Sequence, residues 1–291
     1  MTVETVPVRL SSEGALVTSR GNGRALRRTT AGPLARGRAV WGRRQAVKLL
    51  VGRDLKVRYA SSALGYVWSV LEPLLMAGVY WFVFTKIFHR SAGEEPYIVF
   101  LLAGLLPWTW FNGGVTDAAK ALHGESKLVR STNVPREVWV LRVVLSKGLE
   151  FVFSLPVLLV FVLAYRSAVS WQLLFLVPGM ALMTVLLSGI GLLLAPLVVL
   201  VRDLERIVRI ALRLGFYVSP VVFAVPDVPE PWSKLFALNP LSGVFELCRA
   251  GFFPGHLHGA HVLASVVVTL LVLAVGWAVF ARLENAVLKE I

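Results

Sequence analysis

The sequence reads RRQAVKLLVGRDLKVRYASSALG over residues 43–65 and YVWSVLEPLLMAGVYWFVFTKIF over residues 66–88. The first stretch has helical periodicity, which puts Val47, Leu50, Val51, Leu55 and Tyr59 on one side and Arg44, Lys48, Arg53 and Lys56 mainly on the other. Such a helix is suited to lying on a membrane surface, with its apolar face in the acyl boundary and its basic face towards anionic headgroups. We therefore predict an amphipathic interface helix at about residues 43–60, which leads into a run long enough to span a bilayer.

The composition is that of a polytopic membrane protein. Of the 291 residues, 56% are hydrophobic and only 16% are charged, whereas about 25% are charged in soluble proteins. The net charge of +13 would favour a nucleic-acid partner in a soluble protein. Here the basic residues stand between apolar runs, so membrane topology explains them and no nucleic-acid partner is predicted. The one cysteine, Cys248, excludes an intramolecular disulfide.

Six apolar runs predict an all-α membrane domain over residues 41–291. The predicted transmembrane helices are about 67–88, 97–120, 142–165, 171–200, 207–224 and 260–281. The fifth contains Arg209 and Arg213, which a span tolerates when such side chains snorkel or face a wet cavity. Residues 1–40 lack the apolar segment of a signal peptide and are rich in Arg, Ser, Thr and Gly, which predicts a disordered, basic cytoplasmic tail.

The distribution of basic residues predicts the orientation. Lysines and arginines concentrate in the N-terminal region, in residues 120–147 and 201–213, and in the C-terminal tail. Because such residues accumulate in cytoplasmic loops, both termini are predicted to be cytoplasmic, in a multi-pass protein of the inner or plasma membrane. The interrupted segment 225–259 then lies outside. Two short amphipathic helices are predicted within it, at about 231–237 and 241–250, seated in the outer interface of the membrane or in a shallow re-entrant dip.

The sequence lacks the motifs that would indicate an enzymatic centre. It has no GxxxxGK[ST] phosphate-binding loop, no HExxH or Cys/His metal set, and no carboxylates paired at helical spacing within a span. His256, His258 and His261 stand close together in the outer segment, where we favour a solvated loop over a metal site. The chain is therefore predicted not to be an enzyme and to hold no cofactor or metal of its own.

Two features of the spans are candidates for lining a pathway. Glu72 stands beside Pro73 early in the first span, where it either faces a polar pathway or lies at the level of the headgroups, and the sequence favours neither. Aromatic residues concentrate in the first, second and fifth spans. Most such residues anchor the interface or pack in the core, while a subset facing a conduit could stack on the apolar C–H faces of sugar rings. The sequence does not choose between these interpretations.

The predicted cytoplasmic loop over residues 123–140, HGESKLVRSTNVPREVWV, offers a second contact element. Pro135 suits the first turn of a short helix that continues through Arg136 and Glu137, with Asn133 as its cap. A short, charged helix that projects inwards could dock into a groove on a soluble partner. The alternative is a simple turn between two spans.

Several segments together resemble the ABC-2 family of exporter permeases, and in particular its polysaccharide-export branch. They are residues 52–75 (GRDLKVRYASSALGYVWSVLEPLL), 104–111 (GLLPWTWF), 127–138 (KLVRSTNVPREV) and 201–223 (VRDLERIVRIALRLGFYVSPVVF), followed by 239–249 (NPLSGVFELCR). The resemblance implies a homodimer of this subunit paired with two copies of a separate ATPase, which uses ATP and Mg²⁺. It also implies export of a lipid-linked polysaccharide from the cytoplasmic to the outer side, the cargo being a cell-wall galactan, an O-antigen or a teichoic-acid-like polymer.

The resemblance also implies roles for individual residues. The interface helix carries the candidates Arg53, Asp54, Lys56, Arg58 and Tyr59. A coupling helix that contacts the ATPase is implied at about 130–138, with the candidates Arg130, Asn133, Pro135, Arg136 and Glu137, and the later cytoplasmic loop holds Arg202 and Asp203. Spans one and five are implied to line the conduit and its lateral gate, with the candidates Trp68, Glu72, Tyr80, Trp81, Phe84, Phe216 and Tyr217. The two short outer helices are implied to be gate helices.

Other functions stay open on the sequence. A drug- or lipid-exporting member of the same superfamily would share the six spans and have a narrower, less aromatic conduit. An integral membrane transferase acting on polyprenyl-linked sugars would need acidic metal ligands in cytoplasmic loops, and Glu137, Asp203 and Glu205 are too scattered to form an obvious set. A simple channel or scaffold is the remaining alternative.

Overall fold

A computed structural model describes residues 38, 40–60, 67–87, 96–132 and 134–290, without the side chains of residues 58–60, 69, 70, 72, 73, 84 and 85. The predicted tail of residues 1–40 lies almost wholly outside the described residues. The α-helices are α1 (Arg44–Ala60), α2 (Trp68–Trp81), α3 (Tyr97–Ala119), α4 (Ser126–Ser131), α5 (Glu137–Ala164), α6 (Leu176–Leu200), α7 (Leu204–Val218), α8 (Trp232–Ala237), α9 (Pro240–Arg249) and α10 (Gly259–Glu290). The described part of the chain contains no strand, which confirms the all-α class.

The helix α1 occupies the predicted position, but its apolar face is turned partly towards protein. Val47 and Val51 are buried against Val138 at the start of α5. The prediction that this face rests in the acyl boundary is therefore wrong for these two valines. Helical periodicity identifies an apolar stripe, but it does not distinguish a stripe that meets lipid from one that packs on another helix. On the outward side Leu49 is exposed.

Four helical segments are long and apolar enough to cross a membrane: Tyr97–Ala119, Glu137–Ala164, Trp171–Leu200 and Gly259–Glu290. They correspond to the second, third, fourth and sixth predicted spans. The third begins earlier than predicted, and the last extends further towards the C-terminus. The count of six spans stays a prediction.

The first and fifth predicted spans take other forms. The helix α2 continues as a π-helical stretch, Phe82–Ile87. The helix α7 is Leu204–Val218, so the predicted bounds of 207–224 are wrong. Its 15 residues give only about 22 Å of helix at about 1.5 Å per residue. It ends there because Pro220 disfavours a helical conformation for the residue before it, and Ser219 is extended, with ψ 145°.

The helices α3 and α6 form the centre of the bundle, and α5 and α10 lie at its outside. All residues of α3 from Tyr97 to Trp108 are buried. The outer helices instead expose apolar side chains along their length, among them Leu159 and Leu163 of α5 and Leu270 of α10. A large exposed apolar surface around a packed core marks a region that meets lipid or another protein.

The last helix is held to the centre by close contact between two glycines. A Cβ atom on Gly189 of α6 would lie 2.7 Å from the backbone nitrogen of Leu273 in α10. A Cβ atom on Gly276 of α10 would collide with the carbonyl oxygen of Gly189. Small residues let helix backbones approach each other in membranes, where packing rather than the hydrophobic effect drives association.

Two short helices, α8 and α9, occur where the sequence predicts them, and Asn239 joins them. The Asn239 side chain accepts a hydrogen bond from the Leu241 N–H at 3.0 Å and donates one to the Val218 carbonyl oxygen at 3.2 Å. The helix α9 is buried from Leu241 to Arg249 and packs on α3, α6 and α10. It is therefore a core element of the bundle, and its predicted position relative to the outer membrane interface stays a prediction. The role of gate helices stays a prediction.

The predicted short helix after Pro135 is not a separate element. Glu137 begins α5, which continues to Ala164, and the short helix α4 lies earlier, at Ser126–Ser131. The prediction is wrong because proline suits the first turn of a helix of any length, and nothing in the sequence separates this turn from the span. The Val138 N–H donates to the Pro135 carbonyl oxygen at 3.0 Å, which makes this turn the start of α5.

Candidate functional site

A groove of about 420 Å³ opens between α2, α3 and α7. It is lined by Met76 and Tyr80 of α2, by Leu105, Trp108, Thr109, Asn112 and Thr116 of α3, and by Arg209, Leu212, Arg213, Phe216 and Tyr217 of α7. The lining combines aromatic rings with hydroxyl, amide and guanidinium groups. We refer to this site as the groove.

Aromatic rings from three helices meet at one wall of the groove. The Phe216 ring stacks on Tyr80 with centroids 5.6 Å apart, and it meets Trp108 edge to face at 5.4 Å. Tyr217 lies edge to face with Phe216 at 5.4 Å. Phe216 is buried while Tyr217 is 67% exposed, so the cluster presents one ring to whatever occupies the space beside α7.

The helix α7 reaches the groove because its sequence follows a regular helical period. Val208, Leu212 and Phe216 recur every four residues and are the buried residues of this helix. Arg209 and Arg213 follow the same spacing one position further along, which puts both at the edge that lines the groove. Both arginines therefore line the groove, and whether they snorkel or face water stays a prediction.

Ion pairs fix the first turns of α7. Glu205 accepts from Arg209 Nη1 at 2.5 Å and from Lys120 Nζ at 2.9 Å. In the described part of the chain no ion pair involves Arg213, whose side chain lines the groove.

The polar wall of the groove is a stripe on α3. Thr109, Asn112 and Thr116 lie on one face at helical spacing. The Thr109 hydroxyl donates to the Leu106 carbonyl oxygen at 2.8 Å, and its oxygen can still accept a hydrogen bond. Asn112 is exposed and offers both a donor and an acceptor. A ligand with apolar faces and many hydroxyl groups matches such a combination of rings and hydrogen-bonding groups.

Three of the seven predicted pathway residues meet in the groove, namely Tyr80, Phe216 and Tyr217. Trp68 is half exposed and Trp81 has Lys86 over its ring at 5.7 Å, and neither lines the groove. The side chains of Glu72 and Phe84 lie outside the described residues. Sequence reasoning missed the α3 stripe of Thr109, Asn112 and Thr116, although its helical spacing inside an otherwise apolar span was a usable signal.

A second site lies where α1, α4 and α5 meet. We call Arg53, Asp54, Glu125 and Arg142 the charge cluster. Arg142 donates to Asp54 at 2.9 Å and lies 3.3 Å from Glu125. Arg53 contacts Glu125 at 2.5 Å and Asp54 at 3.3 Å. The predicted interface residues Arg53 and Asp54 therefore engage protein groups, and the predicted contact of the basic face with lipid headgroups stays a prediction.

The charge cluster joins elements that are distant in sequence. Asp54 belongs to α1, Glu125 directly precedes α4, and Arg142 lies in the first turns of α5. Arg142 is buried, and its guanidinium lies 5.1 Å from the Trp139 ring. A buried charge is costly once it loses its partners. If α1 or α4 moved away while α5 stayed in place, Arg142 would lose Asp54 or Glu125, so α5 is expected to move with them. The cluster can therefore transmit movement to a membrane-spanning helix.

The predicted coupling residues divide into exposed and buried ones. Arg130 of α4 is exposed, as is its neighbour Lys127, whereas Pro135 is half-buried. Arg136 pairs with Glu284 of α10 at 2.8 Å, and Glu137 is buried. Arg136 and Glu137 are therefore engaged within the chain, and the exposed cationic surface belongs to α4.

The remaining predicted residues lie near these elements or outside the described ones. Lys56, Arg202 and Asp203 are exposed. Asn133 and the side chains of Arg58 and Tyr59 lie outside the described residues. The structure thus places Lys56, Arg202 and Asp203 at the surface, where they can meet solvent, headgroups or another protein.

A comparison with known proteins identifies the family. Residues 45–253 match the family model for the ABC-2 type transporter. This chain belongs to the ABC-2 type transporter family. The resemblance found in the sequence is thereby confirmed, and the four long apolar helices are those of a multi-pass membrane protein of this family.

Relatives in this family are similar over nearly their whole length. The O-antigen export system permease protein RfbA of Klebsiella pneumoniae is 32% identical over 237 residues, which cover 81% of this chain and 91% of that protein. The RfbA protein of Myxococcus xanthus is 30% identical over 238 residues, covering 81% and 90%. The polysialic acid transport protein KpsM of Escherichia coli is 26% identical over 246 residues, covering 84% and 95%.

Proposed function

We propose that this chain is the permease subunit of an ATP-driven exporter that moves a polysaccharide across the membrane. The observation that carries the proposal is the groove, which places aromatic, hydrogen-bonding and cationic groups along one face of the bundle. Membership of the ABC-2 family supports transport as the class of activity. The O-antigen and polysialic acid relatives support a polysaccharide as the cargo.

The chemistry of the groove suits a lipid-linked polymer. Exposed Tyr217 offers a ring on which the C–H face of a sugar can pack, and Asn112 and Thr116 offer partners for its hydroxyl groups. A phosphate that links a glycan to its lipid carrier would pair with Arg213, whose planar guanidinium binds phosphate in a bidentate manner. The cargo in this proposal therefore enters with its sugars against α3 and its phosphate against α7.

A second copy of the chain completes the conduit in this proposal. The outward side of α7 exposes Ile207, Ile210 and Leu214 beside Arg209 and Arg213. Arginine at bilayer depth is costly in lipid, and such residues face protein or water in known membrane proteins. Two copies that face each other across α2 and α7 would enclose the grooves and keep these arginines out of lipid.

Six crossings per chain follow if α2 and α7 also span the membrane. The α2 helix is extended by its π-helical stretch to Ile87. The α7 helix is continued by the segment from Ser219 to Phe223, which is held inside the protein by Arg249. In this proposal both termini lie in the cytoplasm, α8 and α9 lie on the outer side, and the protein resides in the inner or plasma membrane.

The energy for transport comes from a separate ATPase subunit in this proposal. The sequence contains no phosphate-binding loop of its own. Two copies of the partner, which uses ATP and Mg²⁺, would dock on the exposed cationic side of α4, at Lys127 and Arg130. Closure of the partner pair would then move α4 and α1, and the charge cluster would pass that movement to α5.

A variant of the groove tests the proposal. Replacing Tyr217 by Ala and Arg213 by Gln removes one ring and one cation from the outward side of α7 without touching the buried stripe. Loss of a ring contact worth about 1 kcal/mol together with a phosphate contact is expected to lower polysaccharide export by about tenfold or more. The measurement is the amount of polysaccharide at the cell surface, with the amount of permease in the membrane held equal.

The matched control is Trp171→Ala, because Trp171 is similarly exposed, at 71%, and does not line the groove. Export in this variant is expected to equal that of the wild type. Equal export by the groove variant and the wild type would contradict the proposal.

A further inference from the structure

Three metal-ligating side chains converge between α9 and the start of α10. Glu246 belongs to α9, His258 directly precedes α10, and His261 lies in the first turn of α10. One ligand atom from each of the three lies within 4.8 Å of the other two. These three residues belong neither to the groove nor to the charge cluster.

The carboxylate of Glu246 is held so that one oxygen faces both imidazoles. Its Oε2 accepts a hydrogen bond from the His258 backbone N–H at 2.9 Å. Its Oε1 lies 2.6 Å from His261 Nδ1 and 3.5 Å from His258 Nδ1, and the centroids of the two rings are 4.9 Å apart. The backbone contact therefore orients the carboxylate, and the remaining oxygen is directed between two ring nitrogens.

The cluster is mostly buried but open on one side. The Glu246 and His261 side chains are 9% and 18% exposed, whereas His258 is 41% exposed. An ion could therefore enter past His258, and a water molecule could reach it from the same side. The prediction of a solvated loop is wrong for His261, and also for His256, whose ring packs beside Phe100 with centroids 5.9 Å apart.

We propose that Glu246, His258 and His261 form a Zn²⁺ site that ties α9 to α10. Imidazole nitrogen and carboxylate oxygen are common zinc ligands, and three protein ligands with one open position for water make a four-coordinate site. Zn–N and Zn–O distances of about 2.0–2.1 Å put ligand atoms about 3.3 Å apart in a tetrahedron. The His258–Glu246 separation already fits this value, and the His261–Glu246 separation has to widen by about 0.7 Å.

A divalent ion and a shared proton use the ring nitrogens in different ways. A proton on His261 Nδ1 is donated to the Glu246 carboxylate at 2.6 Å, and a proton on His258 Nδ1 is donated to the His256 carbonyl oxygen at 3.1 Å, so zinc binding at His258 Nδ1 replaces that hydrogen bond. A divalent ion placed between the three groups engages both rings and the carboxylate at once. On binding, each imidazole is neutral and keeps its proton on Nε2, so uptake of the metal releases any proton held at Nδ1.

The experiment measures zinc binding by the purified protein. The full chain is purified with a tag that contains no histidine, treated with a chelator, and titrated with Zn²⁺ by calorimetry and with Co²⁺ as a spectroscopic probe. We expect one Zn²⁺ per chain and the intense visible absorption of four-coordinate Co²⁺. The melting temperature of the wild type is expected to rise on addition of Zn²⁺, because the ion binds the folded state.

Three variants remove one ligand each: His258→Ala, His261→Ala and Glu246→Gln. Each is expected to weaken Zn²⁺ binding by more than about tenfold, since even the loss of an outer hydrogen-bond partner costs a metal site about 10–100-fold. If the two more buried variants fail to fold, the Zn²⁺ affinity of His258→Ala tests the proposal, because His258 is the most exposed of the three ligands. The matched controls are His256→Gln and His123→Ala, which are expected to bind Zn²⁺ like the wild type.

Two outcomes would overturn the proposal. One is a wild type that binds no Zn²⁺ beyond the level seen with His258→Ala, with a melting temperature that responds to pH and not to metal, which would leave only a proton shared between His261 and Glu246. The other is Zn²⁺ binding that is lost in the His123→Ala or His256→Gln control and kept in the three ligand variants.

Discussion

Two buried arginines, Arg142 and Arg249, hold opposite ends of the molecule, and they do so in different ways. Both are almost fully buried, at 4% and 3% exposure. Arg142 binds the carboxylates of Asp54 and Glu125, which belong to two other elements. Arg249 binds backbone carbonyl groups. The two ends of the molecule are therefore held by different interactions: ion pairs around Arg142, and hydrogen bonds to backbone carbonyl groups around Arg249.

The partners of Arg249 lie in the segment that follows α7. Its guanidinium donates to the carbonyl oxygens of Pro220 at 2.8 Å and of Val221, and it lies 3.8 Å from the centre of the Phe100 ring. The Tyr97 hydroxyl donates to the next carbonyl oxygen, that of Val222, at 3.2 Å. A helix that ends inside a membrane protein leaves carbonyl groups that need donors, and here two side chains supply them.

The difference indicates which end can move. Side chains paired by charge, as in the charge cluster, can exchange partners when one element shifts, since Arg53 and Arg142 both contact both carboxylates. The carbonyl groups around Arg249 all belong to one continuous segment, Pro220 to Phe223, and they are held by a single guanidinium. We infer that the charge-cluster end transmits movement and that the Arg249 end is a fixed support.

Loss of Arg249 is expected to have the largest effect on stability. In Arg249→Met the buried carbonyl groups of the segment lose their donor, and each unsatisfied group costs about 1–3 kcal/mol. We expect a loss of more than about 3 kcal/mol, with little monodisperse protein recovered from membranes. The measurement is size-exclusion chromatography and the melting temperature in detergent.

Arg249→Lys and Gly104→Ala separate the charge of Arg249 from its geometry. Lysine keeps the charge but not the planar fork, and a Cβ on Gly104 would collide with the Arg249 guanidinium. Both variants are expected to be destabilised. An Arg249→Met protein as stable as the wild type would show that this end needs no such support.

Loss of Arg142 is expected to have a smaller effect on stability and a large effect on export. In Arg142→Met, Asp54 and Glu125 lose a shared donor, although Arg53 still pairs with both. Hydrogen bonds to charged groups are worth about 1.5–3 kcal/mol, so the variant is expected to fold and to melt at a lower temperature. Export is expected to fall strongly because α1 and α4 no longer act on α5.

The companion variant also removes the charge of both carboxylates, as Arg142→Met with Asp54→Asn and Glu125→Gln, and keeps only Arg53, whose side chain is 36% exposed. Stability is expected to recover, because no uncompensated carboxylate remains, while export stays low. Recovery of export together with stability would mean that the cluster only stabilises the fold and does not transmit movement.

The exposed cations of α4 are expected to have the smallest effect on stability. Lys127→Ala with Arg130→Ala changes surface groups, and such changes usually alter stability by no more than about 0.5 kcal/mol. Binding of the ATPase subunit and export are nevertheless expected to fall, because these side chains would contact the partner. Co-purification of the ATPase subunit with the permease measures this directly.

The double variant Arg136→Ala with Glu137→Ala provides the contrast, since Arg136 pairs with Glu284 and Glu137 is buried. It is expected to lower the melting temperature of the permease alone. If this variant were fully stable and the α4 variant kept its ATPase subunit, the assignment of the partner surface to α4 would be wrong.

The sequence predicted the elements well where local pattern determines them. The bounds of α1 and α3 and the existence of α8 and α9 follow from periodicity, Pro/Gly punctuation and the Asn239 cap. The aromatic residues Tyr80, Phe216 and Tyr217 were candidates before the structure brought them together. Each of these signals lies within a short stretch of chain.

The features that the sequence missed depend on contacts between distant residues. From the sequence, Arg249 is only a basic residue in the predicted outer segment. Nothing in the neighbouring residues indicates that the Pro220 and Val221 carbonyl groups lie beside it. Glu246 and His261 are likewise separated by a turn whose path the sequence does not define. The short helix predicted after Pro135 is instead the start of α5, because a proline at a helix start does not reveal the length of the helix that follows.

The central claim is that this chain is the permease of an ATP-driven polysaccharide exporter, and depletion of the protein tests it most directly. The measurement follows the lipid-linked glycans of the host cell on the two sides of the membrane as the protein is withdrawn. We expect one lipid-linked polymer to accumulate on the cytoplasmic side while its mature form disappears from the surface. An unchanged surface polysaccharide, with no polymer accumulating inside, would contradict the claim.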